Sequence, residues 1–511
     1  MADGVIADDI LVPGVGIRID FVTSEATTVG QKRRICIIAV KTSSGTATAN
    51  AVNLRVLGHE AVATLGGNGS LGHLCAKAIF KEHPTARVDF IAVAAPAGVA
   101  ASQTVTFDDT TPVTVTKTVE LDVMGRTFSL DWLPGETDTA FATRYVDVIN
   151  GADGDLFVSA ANGGGTLAVM TISAKHTGTV GNDVLLAVRE IGGTGGAVTL
   201  GGAALASGTG TMDATSALAA IATTQYDLIV ECGGNADAIS SSSTGLVAKL
   251  KTHMQNHISG FGALLQQAIV GVTASLSSAK VGPATHNYEL FEYVFSRSGQ
   301  SLPCEWAGAE AGARSREEQI DPNVNRSNRT DMPYLATLYG PADLTTGRLT
   351  VTEEQDALVS GLSPMRYLDS GVPFISIPRT TYWQDAFSNE DRRLIYVSQV
   401  TTLIEMGKDL RAFLPARYPG AKITPDQSQG DDDAPANVVE VGDVRAAVVD
   451  RIKNVYVARG WVVKSEVDKT LADGTMSFEL DSGNESKVNI VLPFKPIPPL
   501  TQFDLILKGV S

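Results

Sequence analysis

The sequence predicts a mixed α/β and α+β multidomain chain. It comprises a split α/β core domain with an inserted β-rich domain, a C-terminal α+β domain, and extended N- and C-terminal strand arms. Three observations predict this. Apolar strand-like runs alternate with helical patterns in residues 23–102, stop, and resume at 211. The stretch 103–210 is instead rich in Thr, Val and Gly with period-2 alternation. After residue 366 come the longest helical pattern, a second helix and two alternating strands. The expected divisions are an arm at 1–22, an α/β domain at 23–102 plus 211–365, an insert at 103–210, a C-terminal domain at 366–500 and a final strand at 501–511. A chain of 511 residues is too long for one ordinary core.

The elements follow in order. In "DDILVPGVGIRIDF" a Pro-Gly turn precedes a short strand with Val15, Ile17 and Ile19 on one face. "RRICIIAVK" is apolar throughout, as a strand buried on both faces must be. "HEAVATL" reads as a short helix ending on Gly66 and Gly67. Ser70 caps the next helix, where Leu71, Leu74, Cys75 and Ile79 form an apolar face. "RVDFIAVAAP" is the second buried strand. In the insert, Gly125 offers a hairpin turn. Asp138 or Thr139 can cap a helix lined by Phe141, Tyr145 and Ile149.

Beyond 211, "YDLIVECGG", "LLQQAIVGVT" and "NYELFEYVF" supply strands, with a helix in "GLVAKLKTHMQNHISGFG". The segment 301–365 reads as helix and loop: one helix ends before Pro322, and another starts at Thr352 or a neighbouring cap with Glu354 in its first turn. "VPFISIPRTTYW" contains a strand. The long helical pattern after it can be capped by Asn389, with Glu390 and Asp391 in the first turn. "DQSQGDDDAPAN" is an acidic loop. A further amphipathic helix, a hairpin (Met476–Asp481 with Lys487–Val491) and a last strand around Phe503–Leu507 complete the chain.

Composition excludes several function classes. Hydrophobic residues at 44% and charged residues at 19% belong to a globular chain rather than a disordered one. A net charge of −16 disfavours docking on nucleic acid or anionic lipid, and no basic run exceeds "KRR". The N-terminus lacks a basic region and a long apolar stretch, so no signal peptide is expected, and no apolar run is long enough to span a membrane. The four cysteines (Cys36, Cys75, Cys232, Cys304) form no CxxC and read as buried free thiols in a reducing compartment.

No catalytic constellation emerges. Gly67, Gly69 and Gly72 spell G-x-G-x-x-G, but a dinucleotide loop needs a strand directly before it, and a helix precedes this one. His253 and His257 stand one helical turn apart without the acid of HExxH or a third ligand, and read as an exposed polar face. Asp108–Asp109 and Asp431–Asp433 lack calcium-loop spacing. Neither G-x-S-x-G nor a Walker A loop occurs. No catalytic residue, metal or cofactor is expected. An enzyme built on the split domain would use the strand-borne acids Asp89, Asp227 and Glu231.

Several segments, in this order, resemble the contractile tail-sheath proteins of bacteriophages, most closely the Mu-like branch. They are the arm "DILVPGVGIRID", the turn and strand "LGGNGSLGHLCAKAIFKEHPTARVDFIAV", and the insert with "DVMGRTFSLDWLPGETDTAFATRYVDVING" and "AKHTGTVGND". The terminal succession of long helix, acidic loop, helix, hairpin and strand follows. The resemblance implies a non-enzymatic virion protein, assembled in the host cytoplasm. Its homo-hexameric rings would stack into a helical polymer around a tail tube protein, meet baseplate and tail terminator proteins, and contract to drive the tube through the host envelope. It implies no nucleic-acid partner and no membrane insertion. The insert would project outward and the last domain would face the tube, with Arg392, Arg393 and Lys408 as candidate contacts against a plain solvated helix face.

Strands at the two ends are expected to add to a neighbour's sheet by β-augmentation. They are Val15, Ile17, Ile19 and Phe21 in one arm, and Phe503, Leu505 and Leu507 in the other. The acceptor hairpin would be Met476, Phe478, Leu480, Val488 and Ile490. The alternatives are another self-assembling virion protein or adhesin, and the split-domain enzyme.

Overall fold

The computed structural model describes residues 33–163, 168–241, 245–258, 263–385, 387–425 and 438–501. It is a mixed α/β chain with several sheets. At its centre lies β1 (Arg34–Val40), whose last six residues are at most 2% exposed. Ile35, Ile37 and Ala39 enter one core; Cys36, Ile38 and Val40 enter another on the opposite face. Two buried faces explain why this strand is apolar without alternation.

After β1 come β2 (Val52–Val56), α1 (His59–Gly66), α2 (Leu71–Glu82) and β3 (Arg87–Val93), which runs parallel to β1. The edge strand β2, antiparallel to β3, is not among the expected elements: its five residues alternate apolar and polar, but the stretch is short, its register shifts between Asn53 and Val56, and Leu54 faces solvent. Ser70 caps α2, its Oγ accepting the His73 N–H at 3.2 Å. More than the expected face of α2 is buried.

The insert contains β4 (Ser102–Asp108), β5 (Lys117–Val123), β6 (Arg126–Trp132), α3 (Asp138–Gly151), β7 (Val158–Asn162), β8 (Val169–Ala174), β9 (Leu186–Ile191) and β10 (Ala197–Leu200). They build two sheets, β10-β4-β8-β7 and β6-β5-β9, around the rings of Phe107, Trp132, Phe141 and Tyr145. Met124 and Gly125 both have positive φ, as a two-residue hairpin turn requires. The cap of α3 is Thr137, not Asp138 or Thr139; its side chain accepts from the Ala140 N–H at 3.3 Å.

The central sheet then resumes through α4 (Thr215–Ala220), β11 (Leu228–Glu231), α5 (Asn235–Ala238), α6 (Leu246–His257), β12 (Gln267–Val272), α7 (Leu276–Ala279), α8 (Val281–Thr285) and β13 (Phe291–Phe295). Next come α9 (Pro303–Glu317), α10 (Leu344–Gly347), α11 (Val351–Val359), β14 (Leu362–Tyr367) and β15 (Pro373–Ile375). The sheet order is β15-β14-β13-β12-β11-β1-β3-β2, so this sheet continues past residue 365. Thr350, in a capping box with Glu353, caps α11 rather than Thr352. Helix α9 lies against α2 because Gly308 and Gly312 bear no side chain. A Cβ there would stand 2.6 Å from Cys75 O and 2.7 Å from Ile79 O respectively.

The remaining elements are α12 (Val397–Arg417), β16 (Lys422–Thr424), β17 (Val438–Glu440), α13 (Val441–Arg451), α14 (Lys464–Ala472), β18 (Ser477–Leu480) and β19 (Val488–Val491). Asn389 does not cap α12. The chain before the helix is extended, with Thr380 N–H bonded to Ile395 O and Arg379 bridged to Tyr396, while Asp385 takes the Asn389 N–H. Val400 and Ile404 of α12 enter the core beneath the large sheet; Met406, Leu410 and Leu414 enter a third core with Val448, Ile452, Tyr456 and Val467. One helix thus stitches two cores together. The acidic loop lies outside the described residues.

Candidate functional site

The glycine loop is structural. Helix α1, not a strand, feeds it. Gly67 and Gly69 have positive φ, and a Cβ on Gly67 would collide with Thr42 Oγ1. A Cβ on Gly72 would stand 2.6 Å from the Phe90 ring. A Cβ on Gly69 would collide with Lys175 Nζ. That ammonium arrives from the insert and sits among oxygens: Asn68 O at 3.1 Å, Leu156 O at 2.6 Å and the Asp153 carboxylate at 2.8 Å. The Gly69 N–H, which a dinucleotide loop would offer to a phosphate, is donated to His73 Nδ1 at 3.0 Å.

In an open α/β sheet, ligands bind outside the C-terminal ends of strands at the point where the winding direction reverses. Here β1 leads to β3 on one side and has β11 on the other, which places that crevice beyond Val40 and Glu231. The insert fills it. His176 to Val180 line it with Gly210 to Met212, Gly233 and Asp237, leaving room for about one water molecule. The Thr177 hydroxyl donates to Pro96 O, and Thr179 N–H to Gly210 O at 3.0 Å. The quoted segment "AKHTGTVGND" is therefore the plug.

Of the three strand-borne acids, only Glu231 reaches this end. Asp89 is held by Arg34 Nε and by the Arg55 N–H, each at 2.8 Å. Asp227 accepts the Arg34 N–H at 2.7 Å and pairs with Lys408 and Arg33. Burial would raise the Asp227 carboxyl, but Lys408 and Arg33 hold it down at about 2. Among the described residues no such cation pairs with Glu231; burial and the nearby Asp237 push it well above the carboxylate range.

Two histidine pairs invite a metal reading and resist it. His253, expected on an exposed face, is 7% exposed, and burial lowers it to about 4. His257 Nδ1 donates to His253 O at 2.7 Å, so that nitrogen is occupied. His59, Glu60 and His73 place three possible ligand atoms within 4.8 Å of one another. His73 Nδ1, however, accepts the Gly69 N–H, which puts its proton on Nε2, 3.2 Å from His59 Nδ1. A metal on Nε2 would have to displace that proton from a neutral imidazole. The arrangement is a hydrogen-bonded pair, hidden from the sequence because its members sit on two helices.

The four cysteines are free and buried, and burial pushes the Cys36 and Cys75 thiols up. Distant in sequence, Cys75, Cys232 and Cys304 meet in the interior.

At the N-terminal ends of the strands a buried ionic web joins α12 to the α/β domain. Arg33 faces Asp227 at 3.5 Å, Glu318 at 3.6 Å and also Glu405. Arg314, 0% exposed, bonds Glu318 at 2.6 Å, Glu292 at 3.0 Å, Gln267 at 2.6 Å and Thr401 at 3.1 Å. Lys408 belongs to this web and is not a solvated helix residue. Arg392 and Arg393 are exposed but precede the helix, paired with Glu390 and Asp391.

The hairpin β18–β19 is formed, with Phe478 opposite Ile490 and Leu480 opposite Val488; Met476 is buried beneath it. Among the described residues no third strand joins either edge. The last described residues cross from Trp461, which bonds the Ile497 N–H, to Asn325, which bonds Leu500 O. Val15, Ile17, Ile19, Phe21, Phe503, Leu505 and Leu507 lie outside the described residues. Among the described residues no helix is long and apolar enough to cross a membrane.

No family model and no curated protein sequence matches the chain. Among solved structures it is similar to a sheath tail protein from Desulfitobacterium hafniense, at 12% identity and a TM-score of 0.46, covering 95% of this chain and 97% of that one. It is similar to a sheath tail protein from Listeria innocua at 13% identity and 0.41, covering 85% and 86%. It is similar to a chain of the six-fold symmetrised anti-feeding prophage baseplate at 12% identity and 0.36, covering 61% and 77%.

Proposed function

We propose that this chain is a structural subunit of a contractile phage tail sheath. Its subunits would stack as hexameric rings around a tail tube and shorten to drive that tube through a host envelope, within a virion assembled in the host cytoplasm. The observation that carries the reading is the unfinished sheet at β18–β19. A two-stranded ribbon alone is marginally stable and leaves two open edges, which natural proteins cover or pair. The sequence supplies two strand-like arms of suitable length, and the arms of adjacent subunits would complete the sheet by main-chain pairing. Such links keep a lattice connected while rigid domains rotate. The plugged crevice adds support, because the place where this fold would bind a small molecule is used for internal packing.

Electron microscopy of the concentrated protein, alone and with a candidate tube protein, tests the reading. Tubes or stacked six-fold rings are expected in at least one condition. Discrete particles in both would overturn it. A chain lacking residues 1–22 should remain a folded monomer and form no tubes; intact tubes from that chain would remove the arm from the assembly scheme.

A further inference from the structure

Three carboxyls converge where the insert meets the α/β domain. Asp183, at the end of the plug, accepts the Asn235 N–H at 2.8 Å. Glu231, 2% exposed at the end of β11, accepts the Gly233 N–H. Asp237, 6% exposed, accepts the Leu246 and Val247 N–H groups at 2.8 and 3.1 Å. The three flank the consecutive glycines Gly233 and Gly234: a Cβ on Gly233 would stand 3.1 Å from Asp237 Oδ2, and one on Gly234 2.7 Å from Asp183 Oδ2.

Their surroundings offer little compensation. Among the described residues the cation acting on this group is Lys249, which is itself paired with Asp213 at 2.8 Å. Tyr293 faces Glu231 and Asp237 from β13. His176 comes from the plug, its Nδ1 on Thr177 O and its Nε2 buried without a partner. On the other side of Glu231 lie the neutral thiols of Cys75, Cys232 and Cys304. Glu231 and Asp237 are buried and Asp183 half-buried, and carboxylates enclosed this way with little counter-charge favour the protonated form.

We propose that this junction is a proton latch, in which residues 176–183 stay seated on the crevice while the carboxyls hold protons and lift from it as they ionise. The sign follows from burial, which raises Asp183 to about 6 and Glu231 further. A group whose folded-state value lies above its free value stabilises the seated state fully at low pH and loses that contribution as pH rises through the higher value. The opening is local, because Lys175 and its oxygen cage hold the body of the insert in place. The latch does not depend on the sheath reading.

Hydrogen exchange of the full chain, corrected for the intrinsic rate at each pH, is the test. Protection of 176–184 and 231–238 should fall about tenfold between pH 5.5 and 7.5, on the order of one unit of linkage. In Asp183→Asn and in Glu231→Gln the fall should be smaller, and in the double variant smallest. Flat protection in the unsubstituted chain, or the same fall in both variants, would overturn the latch. Should Asp183→Asn fail to fold, Glu231→Gln carries the test with an infrared difference spectrum at pH 7. A protonated carboxyl band lost on substitution is expected, and its absence would count against the proposal.

Discussion

Gly69 and Lys175 meet across a domain junction, the glycine leaving the space that the ammonium and its carbonyl cage occupy. The second glycine of the G-x-G-x-x-G is thus a packing requirement of the insert. Gly69→Ala combines φ strain with a clash on backbone oxygens and should lower stability by about 2–4 kcal/mol. Gly135→Ala has the same φ sign but nothing within 4 Å among the described residues, and should cost only about 1 kcal/mol. Chemical denaturation of both variants separates clash from strain; equal losses would refute the packing account.

Removing the Arg314 guanidinium takes from Glu292 the cation bonded to it and leaves Glu318 with Arg33 at 3.6 Å. Arg314→Met should cost about 3–5 kcal/mol, the range for breaking a buried pair. Arg392→Met, at a side chain 74% exposed, should stay within about 0.5 kcal/mol. Denaturant midpoints decide, and a mild Arg314→Met would mean the web contributes little.

Asp227 sets an acid limit. Its carboxyl falls from 3.8 when free to about 2 in the fold. The pair therefore contributes fully above about pH 4, and the contribution is lost as pH falls toward 2. The difference corresponds to about 2 kcal/mol. Urea midpoints between pH 5 and 3 should fall less steeply for Asp227→Asn than for the unsubstituted chain, and parallel slopes would exclude this residue as the source.

Because all four native cysteines are buried, an engineered pair can report on arm pairing. Leu505→Cys mixed with Ile490→Cys subunits should give interchain disulfides in tubes and none in monomers. In the double variant, crosslinks confined within single chains would show that the terminal strand folds back on its own hairpin.

Continuous apolar runs such as Ile35–Val40 announced the central sheet, because a strand covered on both faces has no polar position to spare. The α3 stripe of Phe141, Tyr145 and Ile149 was equally legible from its 3.6-residue period. The edge strand β2 was not, since five alternating residues are a short signal and its apolar Leu54 faces solvent. The start of α12 was missed because Asn389 offers good local capping chemistry that tertiary pairing at Thr380 and Tyr396 overrides.

Local composition and periodicity by themselves determined the buried strands of the central sheet and the longer helices, that Gly67 and Gly69 lie in a turn between helices, and that no known catalytic motif is spelled out. Only the tertiary structure decided that His176–Val180 close the strand crevice, that Lys408 is held in an ionic web, and that Asp183, Glu231 and Asp237 share one site. The reason is distance along the chain. Backbone preference acts over a few residues, whereas these sites join side chains from well-separated elements, and their electrostatics exist only once folding has removed the water between them.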